Sequence, residues 1–345
     1  MATPPLPELL ELEQLIHEGE QHFAVRTVCQ ITAAGQSLPV YALAIGNPSP
    51  AVPAVAFFGG VHGLERIGTR VLLVFLRSLL MRLQWDQMLH RQLETLRMVF
   101  MPLVNPGGMW SNTRSNPRGV DLMRNAPLDA TERVPFLLGG HRISTRLPWY
   151  RGHTPGTLEP ENQAVYQVVQ EELLNRRFSI ALDCHSGFGL RDRIWFPYAH
   201  TVRAIPHLPE VHALHNLFEQ TYPIHNYVFE PQSAQYLTHG DIWDHLYLTA
   251  ATEDPARIFL PLTLEMGSWL WIKKNPRQLF SLQGLFNPLP THRLQRVLRG
   301  HLLWLDFLAR AANGHAGWLP DGQARQQHRT HAVERWYGRH PAPPA

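Results

Sequence analysis

The sequence predicts an α/β protein built on a mostly parallel sheet, and three observations carry that prediction. Short apolar runs alternate with longer amphipathic ones at the spacing of βαβ units. Several of the apolar runs stop abruptly at glycine, histidine, asparagine or glutamate. The composition, 44% hydrophobic and 17% charged over 345 residues, is that of a chain with a sizeable core rather than a disordered one.

The elements follow in order. Pro7–Glu18 places Leu9, Leu12, Leu15 and Ile16 at helical spacing. Strands are expected at Phe23–Thr32 and Leu38–Ile45, with a turn at Ala34-Gly-Gln-Ser. A strand at Val52–Phe58, one long helix over Ile67–Arg91 and a strand at Leu96–Val104 form the βαβ unit. The Pro/Gly-rich segment from Ala126 to Glu159 is aperiodic, and a long irregular segment within a compact domain is commonly functional. A helix at Glu159–Asn175 leads to the strand Phe178–Cys184; a helix near Glu210–Tyr222 precedes a second irregular stretch, Glu230–Asp241. The strand Leu260–Glu265 and an amphipathic helix at Thr291–Ala312 complete one domain, residues 1–312. Residues 313–345 read as a polar, irregular tail, ordered in part by Trp318, Trp336 and Tyr337.

Bulk properties exclude several classes. Net charge is only +3 and no run of Lys/Arg occurs, so nucleic acid is not an expected partner. No stretch reaches the roughly 20 apolar residues of a membrane span. The N-terminus has neither a basic nor an apolar signal region, so the cytoplasm is expected. Cys29 and Cys184 sit in strand-like runs and read as buried free thiols in a reducing compartment. Oligomeric state leaves no mark on the sequence.

The pattern His-x-x-Glu occurs at His17/Glu20, His62/Glu65, His207/Glu210 and His331/Glu334. Only His62/Glu65 follows a buried-looking strand, after Phe58-Gly-Gly-Val61, where open α/β sheets place their ligand sites. Three further strands end in reactive chemistry: Asn105-Pro-Gly-Gly, His185 and Glu265. Two His and one Glu as ligands, with a second Glu nearby, is a composition of hydrolytic zinc sites. A carboxylate in Leu-Thr-Leu-Glu265-Met-Gly is expected to be buried, which is rare without a partner or a metal.

Five ordered blocks resemble the zinc carboxypeptidases of the carboxypeptidase A type, in particular their bacterial, murein tripeptide amidase-like branch. They are Gly60-Val-His-Gly-Leu-Glu65, Asn105-Pro-Gly-Gly108 with Thr113-Arg114, Gly119-Val-Asp-Leu-Met-Arg-Asn125, Leu182-Asp-Cys-His185-Ser-Gly187 and Thr263-Leu-Glu-Met-Gly267. The resemblance implies a three-layer α/β/α fold with a mixed, mostly parallel sheet, and one Zn²⁺ held by His62, Glu65 and His185. It implies Glu265 as general base and Arg114 as the oxyanion partner, a role that suits a fixed guanidinium fork. Arg124, with Asn125, is implied to hold the substrate's carboxylate. Tyr236 matches the family's mobile tyrosine, and Trp243 falls where the family sets side-chain preference. Met123 stands where the family usually has Asn, and its thioether cannot donate a hydrogen bond.

The expected activity is hydrolysis of a C-terminal peptide or amide bond in a peptide or small amide bearing a free carboxylate. Met123 keeps open an alternative, an N-acyl amino-acid hydrolase resembling succinylglutamate desuccinylase or aspartoacylase. An inactive binding module is the third class, and metal content separates it from the first two.

Overall fold

The computed structural model describes residues 6–338. Its eight strands are β1 (Ala24–Ala33), β2 (Gln36–Gly46), β3 (Ala54–Gly59), β4 (Arg97–Met101), β5 (Phe178–Ser186), β6 (Arg193–Phe196), β7 (Val228–Pro231) and β8 (Ile258–Met266). They form one sheet in the order β1-β2-β4-β3-β5-β8-β6-β7. The middle of that order, β4-β3-β5-β8, is parallel, whereas β1 and β2 are antiparallel at one side and β6 is antiparallel to β8. The sheet is therefore mixed, with a parallel centre. Every residue of β3, β4 and β5 is buried, as parallel strands covered on both faces require.

Eleven α-helices are described, besides four short 3-10 turns: α1 (Pro7–Glu18), α2 (Arg66–Leu83), α3 (Gln87–Glu94), α4 (Pro106–Trp110), α5 (Pro160–Glu172), α6 (Leu208–Thr221), α7 (Ile242–Glu253), α8 (Ser268–Lys274), α9 (Leu282–Phe286), α10 (Thr291–Asn313) and α11 (Gly322–Tyr337). α2 and α10 pack on each other and on β3 and β5; α5 and α7 pack on each other, and reach β1 and β8 respectively. These helical layers flank the sheet. Phe57 of β3 anchors the core, stacked on Phe100 at 5.3 Å and edge-on to Phe75 at 5.4 Å.

Two expectations are corrected. The helix read over Ile67–Arg91 breaks into α2 and α3, because Asp86 caps a new start by accepting from the Met88 and Leu89 amides at 3.0 and 3.1 Å. The tail read as irregular contains α11, which lies along α6. Its docking is polar and aromatic along most of its length, with Ala332 and Tyr337 buried against the core near its end. Arg325 Nε donates to Glu210 Oε1 at 2.7 Å, His328 meets His212 at 2.8 Å, and Trp336 Nε1 donates to the Phe229 carbonyl at 2.8 Å. Its apolar face is confined to Ala332, Val333, Trp336 and Tyr337, too short a stripe from which to read the helix. The short strands β6 and β7 and the helix α7 also escaped the sequence pattern. The segment between Ala126 and Glu159 has no helix or strand, only a bridge between His141 and Tyr150.

Candidate active site

The parallel strands deliver their C-terminal ends to one edge, and the site forms there. β3 ends at Gly59, and the chain turns through Gly60 at φ +63°, where glycine is favoured, before reaching His62. At Gly63 the backbone passes so close to the next element that a Cβ would lie 2.0 Å from the Gly108 carbonyl carbon. Two asparagines brace this turn. Asn105 donates to the Val61 carbonyl at 3.1 Å; Asn287 donates to the Leu64 carbonyl at 2.8 Å and accepts from the Ile67 amide at 2.9 Å. Glu65 is thereby fixed at the start of α2.

His185 comes from β5 and Glu265 from β8, directly opposite one another in the parallel register. Donor atoms of His62, Glu65 and His185 all lie within 4.8 Å of one another, and all three residues are buried. His62 Nδ1 is 2.9 Å from Glu65 Oε1, and His185 Nδ1 is 3.0 Å from Glu65 Oε2. Buried nitrogen and carboxylate donors converging on one point suit a divalent ion. Each histidine also turns its other nitrogen to a carboxylate: His62 Nε2 to Asp121 at 3.1 Å and His185 Nε2 to Asp183 at 2.7 Å. That arrangement orients ligating imidazoles and fixes their tautomers. The residues fit a metal on the chemistry of both layers.

Electrostatics follow from the crowding. Burial raises the Glu65 carboxyl, but His62 and His185 outweigh it and hold it below the usual carboxylate range. Burial opposes a charged His185, yet Asp183 and Glu65 hold its pKa well above the ordinary value. Glu265 is pushed up to about 8, first by burial and then by Glu65, against the pull of His185 and Arg114. One of its oxygens accepts from the Phe188 amide at 3.0 Å.

Arg114 reaches the same point, donating from Nη1 to Glu65 Oε1 at 3.0 Å and from Nε to Asp121 Oδ2 at 2.8 Å. Arg124 is buried in the cleft wall and, among the described residues, has no carboxylate in contact. Its Nε and Nη1 donate to the carbonyls of Leu138 and Met123, both at 3.2 Å, and its guanidinium stands beside the Tyr236 hydroxyl. Tyr236 stands against Phe188 and Trp195, its hydroxyl pKa raised by burial and by Glu265 while Arg124 and Arg114 pull it down. Met123, Leu138 and Trp149 complete that side; Leu282, Leu285 and Phe286 close the other, around a cavity of about 380 Å³.

Two sequence-predicted residues lie elsewhere. Trp243 does not line the cleft: it is buried behind it against Phe58, and its Nε1 donates to Asp183 Oδ2 at 2.9 Å. Asn125 is turned away as well. Its amide donates to the carbonyls of Arg151 and Thr157 and its oxygen accepts from the Glu159 amide at 2.7 Å, so it pins the irregular segment instead of facing a substrate. Conversely, Asp121 and Asp183 carry no role in the sequence reading. The signal for Asp183 was present: it stands two residues before His185 on a strand, hence on the same face.

Buried nitrogen and carboxylate donors at the strand ends of a mixed α/β sheet, with a second carboxylate and two guanidiniums beside them, place the protein among the metallohydrolases in class. Sequence comparison narrows the class. A family model described as zinc carboxypeptidase matches residues 13–262, and the chain belongs to that family. It is 22% identical to carboxypeptidase D of Anas platyrhynchos over 57% of this chain and 28% identical to carboxypeptidase Z of Mus musculus over 34%. Those matches span only 13% and 20% of the two relatives' own lengths. Among solved structures it resembles carboxypeptidase A from Helicoverpa armigera, with a TM-score of 0.65 at 18% identity over 89% of this chain and 72% of that one. A metallo-carboxypeptidase from Pseudomonas aeruginosa, solved with (2-guanidinoethylmercapto)succinic acid, gives 0.51 at 16% identity over 86% and 68%. Both likenesses concern the fold.

Proposed function

We propose that the protein is a zinc-dependent carboxypeptidase that removes an apolar C-terminal residue from a peptide. The observation that carries this reading is Arg124, a buried guanidinium with no carboxylate partner, in the same cleft as the His62–Glu65–His185 donor set and Glu265. A buried cation left unpaired is costly, and a substrate carboxylate is its natural complement.

One Zn²⁺ held by His62, Glu65 and His185 would supply Lewis acidity and a water whose pKa is lowered to about 7. Arg124 binds the terminal carboxylate and sets the register of the peptide. Glu265 takes the proton of the attacking water and returns it to the leaving nitrogen. Arg114 offers its guanidinium to the developing oxyanion. The cleft's side-chain surface beyond these groups is mostly aromatic and aliphatic, its other polar side chains, Ser186, Gln232 and Thr263, being uncharged, and Glu230 behind it is occupied by Arg193 at 2.9 Å and Trp195 Nε1 at 3.1 Å. A basic C-terminal residue finds no free carboxylate there, which supports an apolar preference. The two unpaired cysteines support the cytoplasm as the compartment.

The test is a panel of N-blocked dipeptides ending in Phe, Leu, Lys or Glu, with N-acetyl and N-succinyl amino acids alongside, on zinc-loaded protein. Release of Phe or Leu is expected. Turnover confined to the acyl amino acids would replace the reading with the hydrolase alternative. Arg124→Gln is expected to raise KM roughly tenfold or more while zinc stays bound.

A further inference from the structure

A second cavity, about 550 Å³, lies between α8, the N-terminal half of α10 and the loop before β7. It is larger than the cleft, within the size range of small-molecule sites, and shares no lining residue with the cleft. Leu270, Trp271 and Val297 give it apolar walls; Lys274, His292, Arg293 and Arg296 ring it. Among the described residues, Lys274, Arg293 and Arg296 make no ion pair. Arg293 is held in place by the carbonyls of Trp271 and Lys274, at 3.1 and 3.2 Å, so its charge is positioned but not compensated. Among the described residues Asp192 is the one carboxylate in the lining, and one of its oxygens already accepts from the Gly267 amide at 2.9 Å.

Three further observations point to an occupant. α10 starts with His292 and Arg293 in its first turn and no acidic residue, where the helix dipole favours negative charge. His301, almost wholly buried, bonds Tyr227 through Nδ1 at 2.8 Å, while its Nε2 is 3.9 Å from Asp192, too far for a hydrogen bond. Gly300, an exposed residue inside a 23-residue helix where glycine is unfavourable, has nothing within 4 Å of where a Cβ would stand and leaves this wall of the cavity open.

We propose that this cavity is a second ligand site that takes a small organic anion, a carboxylate or phosphate head group on an apolar body. The apolar part lies on Trp271 and Val297, the head group meets Lys274, Arg293 and Arg296, and a polar atom of the ligand completes His301.

Zinc-loaded full-length protein titrated calorimetrically with 3-phenylpropionate and with phenyl phosphate tests this, with phenethylamine as the cationic control. Arg124→Gln protein is run in parallel, so that binding in the cleft is separated from binding here. Expected is saturable one-to-one binding of at least one anion, at about 1 mM or tighter, retained in Arg124→Gln. It weakens at least tenfold in Lys274→Glu/Arg296→Glu and in Gly300→Leu. Gly300→Leu should melt no lower than wild type, and the charge variant should turn over peptide at the wild-type rate. The two anions distinguish a carboxylate-type from a phosphate-type ligand. No saturable binding in Arg124→Gln, binding indifferent to both cavity variants, or equal binding of the amine overturns the proposal.

Discussion

Asp183 accepts from His185 Nε2 and Trp243 Nε1 through one oxygen, while its other oxygen is buried without a partner. A carboxylate kept under that strain of solvation is doing something its amide could not, namely raising the basicity of His185. Asp183→Asn is therefore expected to weaken zinc affinity about tenfold to a hundredfold in a chelator competition while the fold persists; unchanged affinity would remove the assigned role. Glu265→Gln should keep its zinc and lose about 10²–10⁴ in kcat, and a variant with wild-type turnover would mean that another group moves the proton. Trp149 is a different kind of signal. It lines the cleft at φ +66°, a backbone region in which a bulky side chain is an outlier and which tends to persist at ligand clamps. Replacing it with glycine should raise stability by roughly 1 kcal/mol through relief of that strain and yet lower kcat/KM on dipeptides. Loss of both stability and turnover would make Trp149 a packing residue. At this scale the sequence was legible where chemistry sits at a strand end, as with His62, His185 and Glu265. It was illegible where a side chain's direction decides, which is why Trp243 and Asn125 were misplaced.

Elements were legible in proportion to their periodicity. α1 and α10 carry an apolar face and emerge close to their expected bounds, whereas β6 and β7, four residues each, are too short for alternation to register. α11 is the instructive case, because its adhesion to α6 rests on histidines. His212 and His215 of α6 face His328, His331 and Arg335 of α11, with the Glu210–Arg325 pair beside them. Burial first, and then the neighbouring cations, lower His212 to about 4. Its folded pKa thus lies below the unfolded value near 6.5, so the contact contributes fully above that pH and is lost as pH falls toward 4. Amide protection factors across residues 322–337, corrected for the intrinsic pH dependence of exchange, should fall several-fold between pH 7.5 and pH 5, and the fall should shrink in His212→Leu, with His215 and His328 carrying the remainder. Equal protection at both pH values would mean that Glu210–Arg325, Trp336 and the buried Ala332 and Tyr337 hold the helix without the histidines.

For the whole molecule, the donor set ties together the centre of the sheet. His62 and Glu65 follow β3, His185 ends β5 and Glu265 ends β8, three adjacent parallel strands. A metal there clamps contacts between strands well separated in sequence, so binding should register as global stability. The sign with pH can be worked out. Without metal, His185 titrates well above its ordinary value and its contribution is lost as pH rises through that pKa; Glu265, neutral up to about 8, costs stability as pH climbs from the ordinary carboxylate range toward 8. Both groups make the metal-free protein weaker with rising pH. Zinc requires the deprotonated ligands, so its affinity moves the other way. At a free zinc concentration that equals 100 Kd at pH 7 the ion adds about 2.7 kcal/mol, roughly 4 °C in Tm for a chain of this length. The gap between zinc-loaded and chelator-treated melting temperatures should therefore widen from pH 6 to pH 8, and Glu265→Gln should flatten the metal-free slope without abolishing the gap. A gap that is constant or narrows across that range would show that the three strand ends do not act as one protonation-linked metal site.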